Sequence, residues 1–443
     1  MCRPWGWCVV LKLSMMTVGL LWLLPGLAFS QSAPETYAVS AGRAVVVGND
    51  GSIFVAGWMA GELAGTKLER ASAFLAKFTV DGALLWLKQF GSEHLNFAYD
   101  LALDATGNVV VVGSSGNAPS QDEPGTSQAF VALFDADGEL LWLEAFGYGE
   151  RNEARAVAVD AGGDIFVVGE TCHLDANDCP TIAFLAKYTI EGQQLWIKPF
   201  NVDGYATATG VAVDSEGNVR VVGSSATEPI QTTFLGAHVY VASFDPAGRR
   251  RWLVQFGDAY HVLAYAVQVD GEGNAFVAGD TPIANNLGER DYDIRDTRRS
   301  LDAFLAKIDA EGQIVWIKQF GAGKGYMGFD VAVDHLGNAV VVGAGNGNLG
   351  GEPQGLSDAF VAKYAPDGTR LWAHQFGTPM FDGAYGVAVD AADQIFITGY
   401  LDADWQPPYD RGRHAFLAKY DPHGQQLWLR TFESAVAELE QRR

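Results

Sequence analysis

The 443-residue sequence is short of positive charge, with 30 Lys and Arg against 53 Asp and Glu and a formal net charge of −23. A phosphate backbone is bound by clustered cations, so this balance argues against a nucleic-acid partner. Charged residues make up only 19% of the chain and apolar residues 48%, which excludes a largely disordered protein. Beyond the N-terminal segment, no stretch reaches the roughly 18 uninterrupted apolar residues that a membrane helix needs. No Gly-x-Ser-x-Gly elbow, HExxH pair or phosphate loop occurs. Local motifs therefore announce no enzyme. Cysteine is scarce too: Cys2 and Cys8 sit in the N-terminal segment, and only Cys172 and Cys179 lie beyond it.

The N-terminal segment reads as an address. Arg3 and Lys12 flank its start, Leu13 to Leu24 is an apolar run of signal-peptide length, and Ala28-Phe29-Ser30 offers small residues before Gln31. The competing reading, an uncleaved anchor, is weakened by Lys12 and Pro25, which shorten the run. A signal peptide over 1–30 predicts a secreted, periplasmic or cell-surface protein with no stable membrane insertion after cleavage. In such an oxidising compartment, a disulfide between Cys172 and Cys179 is the expectation. The rival, a metal site using Cys172, His173, Asp175 and Cys179, lacks a second ligand cluster at zinc spacing.

Glycine and aromatic residues are abundant: 52 Gly, 25 Phe, 15 Tyr and 12 Trp. They fall into seven copies of one unit. Trp86, Trp142, Trp196, Trp252, Trp316, Trp372 and Trp428 mark the copies, each with Gly four residues before it and Phe four after. An Ala also stands ten residues before every one of these Trp. Each copy divides into four strand-like runs, as in Val157–Val159, Ile165–Val168, Ala183–Tyr188 and Gln194–Phe200 of the third. Turns such as Asp214-Ser215-Glu216-Gly217-Asn218 join the first and second runs, and tighter turns such as Asp367-Gly368 join the third and fourth. The acids Asp104, Asp160, Asp214, Asp270, Asp334 and Asp390 recur in these turns, where Asx side chains bond nearby amides; they are poor catalytic candidates.

A four-stranded antiparallel sheet that is apolar on both faces must stack on like sheets. Radial stacking of seven such sheets predicts an all-β, seven-bladed β-propeller with four antiparallel strands per blade. The boundaries read as a short lead over 31–43, one propeller over 44–432 and a tail over 433–443. A linear solenoid would need atypical capping repeats, and the first and last copies are nearly complete.

The frame Gly-Val-Ala-Val-Asp, Gly-Asn, Val-Val-Gly, Asp-Ala-Phe-Val-Ala-Lys-Tyr, Asp-Gly and Leu-Trp with Gln-Phe-Gly, best kept over residues Gly328–Gly377, resembles the SBBP family of bacterial propeller repeats. The resemblance covers about Ala44 to Phe432. It implies an exported bacterial propeller and carries no catalytic residues to transfer. Gly48 departs from the frame by replacing the strand-end Asp in copy one, and Arg249–Arg251 makes a turn of copy four unusually basic.

Length variation falls in the second-to-third strand loops, such as Gly57–Ser72, Ser114–Gln128, Gly279–Asp302 and Gly399–His414, so the face bearing them is the candidate functional surface. Trp58 and Trp405 occupy equivalent loops of the first and last copies; they could bind a sugar or anchor, or seal the ring junction. A ring of residues opening the first strands comprises Arg43, Tyr99, Arg155, Thr209, Tyr265, Phe329 and Tyr385. These could line a channel mouth and contact a ligand, or pack between blades. No cofactor is expected and no metal site is assigned. Ca²⁺ alone stays open, through Asp291, Asp293 and Asp296 in a loop that Arg290, Arg295, Arg298 and Arg299 otherwise fill with opposing charge.

The expectation is a monomeric, non-catalytic binding or scaffold module recognising a protein or carbohydrate on the long-loop face. The alternative is a lyase, hydrolase or quinone-dependent enzyme with its site at the channel mouth. Convergence of His94 or His261 with carboxylates in a metal-bearing pocket would favour the enzyme, and an aromatic mouth would favour binding.

Overall fold

The computed structural model describes residues 39–63, 66–92, 94–117, 125–172, 180–202, 204–227, 237–257, 262–282, 289–290, 301–321, 324–402 and 412–442. They belong to one compact unit, all-β apart from a C-terminal helix, Phe432–Arg442. Every sequence copy folds as four antiparallel strands paired in chain order; in copy two these are Leu95–Leu103, Val109–Gly116, Ser127–Phe134 and Leu140–Phe146. Copies two and three are joined into an eight-stranded sheet by one parallel bridge between Ser127 and Arg151. Copy five carries an extra two-residue strand, Glu289–Arg290, parallel to its fourth strand.

The second and third strands are covered on both faces, so Val109–Val112 and Ala359–Val361 have no exposed surface. Their run of Val and Ala without polar alternation follows from that double burial. Fourth strands face outward, with Leu85, Leu141, Leu195, Leu371 and Leu427 pointing to solvent. Each first strand packs against the first strands of the copies before and after it, and that of copy one packs against that of copy seven. The sheets thus radiate from a closed inner circle.

Two side-chain couplings explain the invariant frame. The Trp of each copy covers the turn glycine of the next: a Cβ at Gly138 would lie 2.8 Å from the Trp86 ring, and one at Gly192 2.9 Å from Trp142. These glycines have positive φ and must admit the indole, so both demands fall on one residue. Several indole N–H groups also donate to the same turns, as from Trp142 to the Ile190 carbonyl at 2.9 Å. The series closes with Trp428 on Gly82 of copy one. In the second coupling, the Phe after each Trp packs on third-strand side chains of the next copy. Phe90 meets Phe130 and Phe134 at 6.0 and 4.9 Å between centroids, and Phe432 meets Phe74 and Phe78 at 5.3 and 5.1 Å.

Both hairpin classes share one turn. The expected difference, with tighter turns between third and fourth strands, is not what the structure shows. Gly107 donates to the Asp104 carbonyl and Asp104 to that of Asn108; Gly82 likewise donates to Thr79 and Thr79 to Ala83. In each case glycine stands three residues after the strand end, which produces the same hydrogen-bonded turn. The strand-end acids act as turn formers: Asp334 Oδ1 accepts the amides of Leu336 and Asn338, and Oδ2 accepts Asn338 Nδ2 and pairs with Lys363 at 2.8 Å. Burial pulls the Asp334 carboxyl up, but those partners together hold it below the usual range.

The segment read as a tail is the C-terminal helix. Its Phe432, Ala435 and Val436 fill the apolar cluster between copies one and seven, beside Val45, Phe74, Phe396 and Leu417. Ser40 of the first strand donates to Glu433 at 3.5 Å and accepts the Ala415 amide at 2.9 Å, while His414 lies 2.9 Å from the Glu433 carboxylate.

Candidate site at the channel mouth

In every first strand the pairing to the second strand skips one residue. The skipped residues are Arg43, Tyr99, Arg155, Thr209, Tyr265, Phe329 and Tyr385. Each is the extra residue of a β-bulge, and a bulge re-aims its side chain out of the ladder. The bulge presses the first strand against the second, so the facing residue must lack a side chain: a Cβ at Gly343 would lie 1.9 Å from the Met327 carbonyl oxygen. That is the origin of the glycine in the recurrent Val-Val-Gly.

The structure brings these seven residues towards one another on the inner circle. Phe329 packs on Tyr385 at 4.8 Å and on Tyr265 at 5.7 Å between ring centroids. The Arg43 guanidinium lies 4.2 Å above the Tyr385 ring, and that of Arg155 lies 5.0 Å from the Tyr99 ring. Thr209 turns its hydroxyl into the wall instead, donating to the Ala264 carbonyl at 2.9 Å.

A second tier, unforeseen from the sequence, stands behind the first. It consists of the residue after each second-strand glycine: Trp58, Ser114, Glu170, Ser224, Asp280, Ala344 and Tyr400. Tyr99 shares a 3.0 Å hydrogen bond with Ser114, Arg155 pairs with Glu170 at 2.9 Å, and Tyr385 packs on Tyr400 at 5.6 Å. The sequence signal is weak there: the position follows a glycine that recurs in every copy, but neither it nor the residue after it repeats its type. Trp58, read as a loop residue, lies within the second strand Ile53–Leu63 and packs edge-on to Phe97 of copy two at 5.8 Å. Phe97 in turn stacks on Tyr99 at 6.3 Å. The long loop expected at Gly57–Ser72 is itself largely strand, with pairing extended to Leu63 and Thr66.

Electrostatics divide the mouth. Around Arg155 the charges are matched: Glu153 lies at 2.5 Å as well as Glu170 at 2.9 Å. Burial pulls the guanidinium down, but the two carboxylates outweigh it and hold its pKa above the ordinary value. Burial pushes the neighbouring Tyr99 hydroxyl up to about 12, with Glu153 adding to the rise. In copy five, Asp280 is 1% exposed, and burial pushes its carboxyl up to about 7 with only the Tyr265 hydroxyl opposing. One step further along the first strands, Asp100 and Asp330 each accept two backbone amides. Asp100 joins Leu101 to Val157 of copy three, and Asp330 joins Val331 to Val387 of copy seven. Burial pushes both carboxyls up to about 7.

No protein-family model matches the chain. It is similar to an uncharacterized WD repeat-containing protein, L264, of Acanthamoeba polyphaga mimivirus, at 20% identity over 79% of this chain and 34% of the relative. It is also similar to the regulatory protein FlaEY of Caulobacter vibrioides, at 26% identity over 33% of this chain and 17% of that protein. The chain spans about a third or less of the length of these curated relatives. Among solved structures it resembles Sqt1 from Chaetomium thermophilum, with TM-score 0.46, 10% identity and coverage of 89% and 86%. It also resembles a PL25 ulvan lyase, with TM-score 0.45, 12% identity and coverage of 91% and 99%. The chain is a propeller-type repeat protein.

The remaining candidate residues of the propeller are placed unevenly. Cys172 ends a second strand and is disulfide-bonded; its expected partner Cys179 lies outside the described residues. Trp405, His173, His261 and the calcium candidates Asp291, Asp293 and Asp296 also lie outside them. His94 is exposed in the connection between copies one and two, where its carbonyl accepts from Asn96 at 2.6 Å. Among the described residues, no group of three or more His, Cys, Asp or Glu could hold a metal, and no helix is long and apolar enough to cross a membrane.

Proposed function

We propose that the chain is a seven-bladed propeller of the SBBP type, exported through residues 1–30, with the single ring spanning 44–432. In this reading it acts as a monomeric, non-catalytic binding module, and a protein or carbohydrate ligand docks at the channel mouth on the loop-bearing face. The blade count is supported by the Trp-to-glycine contacts, one from each copy to the next and the last returning to copy one. The observation that carries the binding reading is the circle of bulged residues. Seven re-aimed side chains, four of them aromatic, stand midway along the first strands of a rigid frame and differ from copy to copy, whereas the frame repeats. A purely structural circle would have no need of that variety.

The test is a binding panel of neutral and acidic oligosaccharides and surface extracts against the full chain, repeated with Tyr265→Ala and Tyr385→Ala. Retention of a ligand by the parent protein and at least tenfold weaker retention by either variant is expected. Equal retention by all three proteins would overturn the site assignment. One observation favours the catalytic alternative, namely a buried carboxyl, Asp280, held near pH 7 beside the Tyr265 hydroxyl. Turnover of any bound ligand that Asp280→Asn abolishes would establish that reading instead.

A further inference from the structure

Two arginines belong to the channel circle, and their surroundings differ in kind. Arg155 has a carboxylate two residues before it, Glu153, and another in the second tier, Glu170. Arg43 has Ala41 and Trp58 at the same two positions, and neither can accept a hydrogen bond from a guanidinium. Among the described residues, no carboxylate and no hydrogen-bond acceptor pairs with the Arg43 side chain; its guanidinium lies over the face of Tyr385 at 4.2 Å. Tyr99 and Tyr400 stand near enough to act on it electrostatically, and so does the already neutralised Arg155. The residue is half-buried.

A guanidinium withdrawn from water without an anion is costly, and a single cation–π contact offsets only part of that cost. In a chain of net charge −23, acidic side chains to pair with it are plentiful. The mouth nonetheless leaves this fork of donors open, beside an arc of Tyr265, Phe329, Tyr385 and Tyr400. Guanidinium recognises carboxylate and sulfate by paired charge-assisted hydrogen bonds. Hydroxyl-tipped aromatic faces next to it suit a flat amphipathic ring that carries the acid.

We infer that Arg43 is an anion-binding residue and that the channel mouth takes a saccharide bearing an acidic group. The inference rests on the channel-mouth reading above and adds the charge of the ligand. A folded Arg43→Gln variant should lose the preference for acid while keeping the aromatic arc.

The probes are D-galacturonate, its neutral parent D-galactose, inorganic sulfate and a tri-glutamate peptide. Each is titrated calorimetrically into the full chain and into Arg43→Gln, Arg43→Lys and Tyr385→Ala variants whose thermal unfolding is recorded first. Galacturonate is expected to bind at least tenfold more tightly than galactose, to weaken with added salt, and to lose that advantage in Arg43→Gln. Arg43→Lys, which keeps the charge without the fork, should retain part of it and serves if the Gln variant fails to fold. Binding of galactose as tight as that of galacturonate, lost in Tyr385→Ala, would overturn the anion inference and leave the channel-mouth reading standing. Sulfate or the peptide binding as tightly as galacturonate would overturn the saccharide assignment. No binding of any probe, with the variants indistinguishable across the wider panel, would overturn both.

Discussion

Asp280 shows how one buried side chain couples stability to pH. Its carboxyl is pushed up to about 7 by burial, against an ordinary carboxylate value near 4. The folded chain therefore holds a proton that the unfolded chain releases across that interval, so this group's contribution to stability falls as pH rises from about 4 to about 7. Above that window the penalty is complete. Asp280→Asn removes it while keeping the shape, and is expected to raise stability at pH 8 by on the order of 2–4 kcal/mol, with the gain vanishing near pH 4. Urea unfolding of parent and variant at the two pH values checks this; a gain that does not depend on pH would refute the assignment. Arg43 and Arg155 make the complementary point with positive charge. The same residue type at equivalent positions is satisfied in copy three and open in copy one, because what decides is the pair of side chains two residues before and fifteen after it.

The invariant Trp, Gly and Phe of the repeat make contacts that join each copy to the next. Each Trp sits on its neighbour's turn, so the aromatic side chain and the glycine that receives it belong to different copies. Trp86→Ala is expected to cost about 3 kcal/mol by uncovering Gly138 and the core beneath it, and Trp86→Phe distinctly less. Denaturant unfolding followed by circular dichroism measures both, and equal stability of the two variants would count against the stacking account. The bulge is the other device at this scale. It uses one residue of every first strand to turn a side chain out of the ladder, and it obliges the facing strand to carry glycine.

At the scale of the whole molecule, closure uses the couplings found between any two copies, with the C-terminal helix added at the seam. Among the described residues, no strand is exchanged between the first and last sheets, since each copy supplies its own four. The seam instead depends on Phe432, which sits on Phe74 and Phe78, and on the Ser40, His414 and Glu433 contacts. A chain ending at Thr431 should open first there. In hydrogen exchange, the first strand of copy one and the third strand of copy seven are expected to lose protection before the strands of copies three to five. Uniform loss around the ring would mean the helix is not the clasp.

Periodicity made the architecture legible. The Trp, Gly, Phe and Ala positions recur because every copy faces the same neighbour, and identical contacts demand identical residues. The circle of Arg43, Tyr99, Arg155, Thr209, Tyr265, Phe329 and Tyr385 could be picked out by register alone, as the position that keeps its place but changes its identity. Its second tier is not legible by register, because the residues that follow it belong to no repeat, and Trp58 reads as a loop residue because its strand, Ile53–Leu63, runs on past the point where the pattern ends. The helix at the seam was hidden too, since Phe432 reads as the last frame residue and nothing in 433–443 repeats. The sequence by itself thus determined the unit, its number of copies and the positions open to variation. Only the tertiary structure decided which variable side chains meet, because residues one copy apart, such as Tyr265, Phe329 and Tyr385, become neighbours through the curvature of the ring.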